Sequence, residues 1–170
     1  MERPDLIPVQ PYLNVVVLWI HLFAAAFFVG GSFFFWLVVI PATRLITTDE
    51  SDRTQIVGKI AKVFRRFVTR TLIIIVLTGI YNASWYLASM QDLLIYPGTL
   101  FLTKIILVII LLILIYVHNI YFGKRITALA KERNVEELKR IRKTSRKISV
   151  ANLILMAVIF FLAALMQMPP

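Results

Sequence analysis

The sequence predicts an all-α protein, an integral membrane four-helix bundle with the N and C termini outside. Three observations carry that prediction. Hydrophobic residues make up 59% of the 170 residues and charged residues only 16%. A soluble domain of this size cannot hide so much apolar surface, so lipid is the expected solvent. The apolar residues gather in four runs, each with the ~20 residues an α-helix needs to cross ~30 Å of hydrocarbon. Backbone groups in lipid must bond internally, which makes these runs helices rather than lone strands. Finally, 17 of the 19 Lys and Arg residues lie between Arg44 and Arg70 or between Lys124 and Lys147, after the first and third runs. The positive-inside rule puts both of those segments in the cytoplasm.

The first span covers about 12–41, from Tyr12 to Pro41. It is too long for a signal-peptide core. Pro11 suits the first turn of a helix, where a missing N–H costs nothing. Basic segment 44–66 follows. Within it Ile56, Ile60, Val63 and Phe64, continuing to Phe67, recur at helical spacing, so the second helix begins well outside the lipid. The second span covers about 67–89. The turn after it, Met90 to Gly98, has no bases and carries Asp92. Trp85, Tyr86 and Tyr96 stand where an outer aromatic belt belongs. The third span covers about 99–121. Basic segment 124–147 then holds Asn134 and Glu137 at capping-box spacing and Glu136 with Arg140 as an i,i+4 pair. A short amphipathic helix is expected there, along the inner leaflet or running on into the fourth span at about 148–167. Short connections make sequential helices antiparallel neighbours, and the whole chain, 1–170, reads as one domain without internal repeats.

The formal charge of +10 crowds against helix ends, as at an anionic leaflet, and no groove-reading motif accompanies it. The lipid bilayer is therefore the expected partner and nucleic acid is not. There is no cysteine, which removes disulfides, iron–sulfur clusters and thiolate metal sites. No nucleophile or paired-carboxylate constellation lies inside the spans, so the reading leans away from an enzyme.

An ionisable group inside a membrane is a functional candidate by default. Three qualify: His21, Lys104 and His118. At ~1.5 Å per residue His21 lies ~13 Å below the outer surface and Lys104 ~8 Å below it. Tyr81, Asn82 and Thr78 of the second span fall at comparable levels, so these residues define one outer-half polar pocket. His118 lies fourteen residues after Lys104, on nearly the same helix face and ~21 Å deeper. That puts it near Asn119, Ser149 and Asn152 at the cytoplasmic boundary, a secondary candidate with a structural role as the simpler reading. One haem cannot take His21 and His118 together across that depth. Met90, Met166 and Met168 fall at outer helix ends, and soft thioethers favour Cu(I). On the first helix, Ala24, Ala25, Ala26, Gly30 and Gly31 leave room for close helix approach or for a flat ligand.

The stretch His21-Leu22-Phe23-Ala24-Ala25-Ala26-Phe27-Phe28-Val29-Gly30-Gly31 resembles the first-helix signature of the copper resistance protein D (CopD-like) family. Leu77-Thr78-Gly79-Ile80-Tyr81-Asn82 is similar to its second-helix pattern. Tyr96, Gly98 and Lys104, with the aliphatic stretch to His118-Asn119, resemble its next helix. The family often has Trp where this chain has Phe28, and its better-known members are longer. The resemblance implies membrane copper handling: binding, uptake or delivery from the outer side, with His21 as a metal ligand and Met166 or Met168 guiding Cu(I) to it. A second resemblance, to four-helix protoporphyrinogen oxidases that bind haem b, rests on the early His and the Lys opening the third helix. It implies the alternative of a haem b protein, enzyme or electron carrier, with Lys104 beside a haem propionate. The third alternative is an accessory subunit of a larger membrane complex. The expected setting is the plasma membrane, with a homo-oligomer or a complex partner.

Overall fold

The computed structural model describes residues 9–86 and 98–166. Among them there is no strand. Helix α1, Val9–Phe34, passes through a π turn at Phe35–Val39 and continues as α2, Ile40–Ile46. Pro41 accounts for the π turn. Proline has no N–H and its ring presses on the carbonyl four residues earlier, here Leu37, and widening the helix there relieves both problems. The chain leaves α2 at Thr47, which is extended at φ −152. Asp49 then caps α3, Glu50–Tyr86, its carboxylate accepting the Asp52 N–H at 2.8 Å, which satisfies one of the orphan donors of the first turn. α3 is 37 residues long, so it does begin far before its apolar half.

Helix α4, Gly98–Val117, runs through a second π turn, His118–Phe122, into the short helix α5, Gly123–Lys131. A tight turn leads to α6, Val135–Leu165, which continues from the basic segment into the last apolar run. The turn is closed by Asn134 N–H on Leu129 O at 3.1 Å and Arg133 N–H on Ala130 O at 3.4 Å. This is a Schellman closure, with Arg133 in the left-handed region at φ 54. The Asn134 side chain then accepts the Glu137 N–H at 3.2 Å, the cap that the sequence predicts. The acid engaged across this hairpin is Glu137, paired with Arg125 of α5. Glu136 with Arg140 is not among the ion pairs of the described residues.

Among the described residues three stretches are long and apolar enough to cross a membrane: Pro11–Ile46, Gly98–Lys131 and Val135–Leu165. The second expected span is not among them. Its apolar half is diluted by Arg70, Thr71, Thr78 and Asn82, and residues 87–89 lie outside the described ones. α3 is nevertheless part of the bundle. One core cluster, Phe28, Val68, Leu111, Leu153 and Met156, takes residues from all four long helices. The opposite faces are bare hydrocarbon: Val15 is 67% exposed, Ile113 57% and Phe161 62%. Apolar area on that scale marks a surface covered by lipid or by a partner.

Packing is uneven. α1 lies chiefly against α3 and α4 chiefly against α6, and contact between α1 and α6 joins the two pairs. The consecutive helices α3 and α4 are not among the closely packed pairs of the described residues. The short connection between them therefore does not make them tight neighbours. A groove between them is lined by Arg65, Thr69 and Leu72 on one side and Leu112, Ile115 and Asn119 on the other. Of the glycine pair, Gly31 makes the close approach: a Cβ there would sit 3.3 Å from the Phe64 ring, whereas Gly30 faces open space.

At the basic end, Arg142 of α6 donates to Glu50 Oε1 at 2.8 Å and to Thr54 Oγ1 at 3.2 Å. The two charged side chains are only 28% and 24% exposed. Such a pair lies between surface bridges, which contribute little, and buried ones, whose breaking is costly. Glu50→Ala should destabilise by about 1–2 kcal/mol. The thermal midpoint in detergent should fall, and Arg142→Met in the Glu50→Ala background should restore part of the loss. Equal midpoints for wild type and Glu50→Ala would show that this contact carries no stability.

Candidate intramembrane metal site

The buried face of α1 runs His21, Ala24, Phe28, and it meets a face of α3 that runs Val68, Thr71, Ile75, Thr78, Asn82. Both rows follow the i, i+3, i+7 rhythm that aligns side chains on one side of a helix. Where they meet, His21 Nδ1 lies 2.8 Å from Thr78 Oγ1. The Thr78 hydroxyl proton is already committed, because Oγ1 donates to the Ile74 carbonyl at 2.6 Å. A hydroxyl has one proton and two lone pairs. Thr78 is therefore the acceptor, Nδ1 carries the hydrogen, and the assigned tautomer leaves Nε2 with a free lone pair.

Gly79 makes room for this arrangement. A Cβ on residue 79 would fall 3.2 Å from His21 Cε1 and 3.7 Å from Nδ1. The Thr-Gly step thus does two jobs: the threonine holds one imidazole nitrogen and the glycine lets the ring lie flat on α3.

Lys104 of α4 is half-buried and is in no ion pair of the described residues. Asn82, one turn beyond Thr78, is 9% exposed, and neither its Nδ2 nor its Oδ1 has a protein partner. A buried amide without partners is costly and calls for a water or a ligand. Tyr81 points elsewhere: its hydroxyl donates to Asn14 Oδ1 at 3.1 Å, a cross-helix bond nearer the end of α1. Asn14 sits inside an apolar run with nothing in the local pattern to single it out. Met166 is buried at the C-terminal cap of α6, while Met90 and Met168 lie outside the described residues.

His118 belongs to a different cluster. Its Nε2 lies 2.9 Å from Ser145 Oγ and 3.2 Å from Ser149 Oγ. The apolar core separates it from His21. Leu111 stands midway between Lys104 and His118, seven residues or ~10 Å from each, and is 5% exposed. Within that core layer the Met156 sulfur is the single soft donor among hydrocarbon side chains. The sequence reading passed over it, because one methionine inside an apolar run carries no local mark.

Among the described residues no group of three or more His, Cys, Asp or Glu gathers as a metal site would require of those types. One imidazole nitrogen stands at this level, and the thioether sulfurs of Met156 and Met166 lie on α6; imidazole and thioether are donor types that copper takes.

A family model described as copper resistance protein D matches residues 58–166, more than half of the chain, and the protein belongs to that family. The match takes in most of α3 and all of α4, α5 and α6, and ends before it reaches α1. No curated protein and no solved structure matches the chain. The protein is thus a copper-resistance-related membrane protein.

Proposed function

We propose that this protein binds copper in the outer half of the membrane and passes it onward, with His21 as the principal ligand. In this reading α3 supplies the fourth span, the basic segments face the cytoplasm, both termini lie outside, and the membrane is the plasma membrane. The observation that carries it is the His21–Thr78 contact, Nδ1 to Oγ1 at 2.8 Å. With the hydrogen on Nδ1 held by Thr78, the Nε2 lone pair is the one left to bind a metal. Met166, at the C-terminal cap of α6, adds soft sulfur suited to receiving Cu(I). Met156 offers a further sulfur in the apolar layer below. Copper is cargo here rather than a resident cofactor.

Lys104 is the observation that favours a second reading. A cation beside a cation site is unfavourable in low dielectric, whereas an ammonium beside a haem propionate is stabilised. A haem b on His21 Nε2, with Lys104 pairing a propionate and the Asn82 amide facing the same group, would account for both.

Purified protein separates the readings. Under the copper reading it carries or takes up about one copper per chain, is colourless in the Soret region, and loses the metal in His21→Ala. A Soret band abolished by His21→Ala selects haem instead. Neither copper above background nor a Soret band removes His21 as a ligand and leaves an accessory subunit of a larger membrane complex, testable by co-purification in mild detergent.

A further inference from the structure

The second polar cluster lies at the opposite end of the bundle from His21 and is unused by the reading above. Its backbone is one stripe of α6: Arg142, Ser145, Ser149, Asn152, spaced by three, four and three residues, so that all four face the same way over ~15 Å. The stripe begins at the basic end, where Arg142 is neutralised by Glu50. It ends against the apolar core, where Met156 follows Asn152 by one turn. His118 docks on its middle. The π turn His118–Phe122 carries the imidazole there, and Phe122 stacks over it with ring centroids 6.1 Å apart. π turns inside helices recur at functional positions.

The hydrogen-bond inventory here differs from that at His21. Ser149 Oγ donates to the Ser145 carbonyl at 3.1 Å, so it can only accept from the imidazole. The Ser145 hydroxyl has no such commitment. It accepts when Nε2 carries a hydrogen and donates when Nε2 is bare. Both hydroxyls accept when Nε2 carries a hydrogen, and only Ser145 can donate when Nε2 is bare, so the site holds the proton with two acceptors and releases it to one donor. Asn152, 7% exposed, leaves its Oδ1 without a protein partner. A buried carbonyl in that condition requires a donor, and water is the smallest one.

We propose that His118, Ser145, Ser149 and Asn152 form a proton-binding site fed through buried water from the basic, cytoplasmic end of the bundle. Of the other charged groups, Arg65 of α3 lines the groove beside Asn119 and is exposed. Arg142 pairs with Glu50 of α3 and Arg125 of α5 with Glu137. Tyr121 is exposed, as are Lys124, Arg146 and Lys147. Lys104 lies ~21 Å away along α4. Proton uptake by Nε2 moves one hydrogen onto the ring, swings the Ser145 hydroxyl from donor to acceptor and engages Ser149 Oγ as a second acceptor.

The chain has two histidines, which makes the test direct. Nitrogen-15 histidine NMR of the intact protein in lipid nanodiscs, with His21→Gln to assign the two rings, reads protonation and tautomer separately. The ring of His118 should pass reversibly between neutral and imidazolium between about pH 5 and 8, and Ser145→Ala or Asn152→Leu should shift its midpoint. A ring locked in one tautomer and one charge state across that range overturns the proposal, as does a midpoint unmoved by both substitutions. No copper is present in this experiment, so its outcome is independent of whether His21 binds metal.

Discussion

Gly79→Leu should weaken copper binding by about 10- to 100-fold, the loss typical when the groups that orient a metal-binding imidazole are disturbed. The reason is steric. The position of a Cβ at residue 79 is already 3.2 Å from His21 Cε1, tighter than ordinary contact, and leucine adds three more carbons in the same direction. The ring cannot swing aside and keep its bond, because Thr78, one residue away, holds Nδ1 at 2.8 Å. Either the imidazole leaves Thr78 or α1 separates from α3. Overpacking of this kind costs about 1–3 kcal/mol, so the thermal midpoint should fall together with the affinity. Gly79→Ala should lie between, since a shift of a few tenths of an ångström accommodates one methyl group. A Cu(I) competition titration measures the affinity. If Gly79→Leu binds as wild type does, the imidazole face against α3 has no part in binding.

Much of this architecture is legible in the sequence because it is written locally. Apolar runs, the Asn134 cap, the early start of α3 and the basic segments each rest on neighbours within a turn or two. The His21–Thr78 contact was readable too, since depth along a helix follows from counting residues and the two fall at similar counts. What counting does not give is rotation about the helix axis. Tyr81 and Asn82 are adjacent and equally deep, yet one bonds to Asn14 and the other is buried without a partner. Rotation also hid the partner of His118. Ser145 lies in a run of Lys and Arg and reads as solvated, but it is 8% exposed, because α6 turns that face inward. The π turn at Phe35–Val39 was similarly masked: Pro41 read as the end of a span, whereas the helix continues past it by widening. The loose contact between α3 and α4 came from larger surfaces winning elsewhere, as α3 buries its inward row on α1.

Leu138→Ala should be the most destabilising single truncation at the basic end, by about 2–5 kcal/mol. Leu138 is fully buried at 0% exposure, inside a small cluster with Leu129 and Ala130, flanked by Ile126 and Ile141. Collapse around the missing side chain is restricted, because the Schellman closure and the Asn134 cap fix α5 against α6 at one end and the Arg125–Glu137 pair ties the two helices across. The cavity therefore stays open and its cost is retained. Arg142 follows Leu138 by one turn on the same face, so loosening the hairpin also slackens its hold on Glu50 and Thr54. The damage should stop there. Between the hairpin and His21 lies the core of Phe28, Val68, Leu111, Leu153 and Met156, which Leu138 does not join. Hydrogen exchange in Leu138→Ala should accelerate across α5 and the first turns of α6 while α1 stays protected, with Cu(I) affinity unchanged. Equal acceleration in α1 would mean that the hairpin and the four-helix core unfold as one unit, and that the basic end governs the stability of the outer site after all.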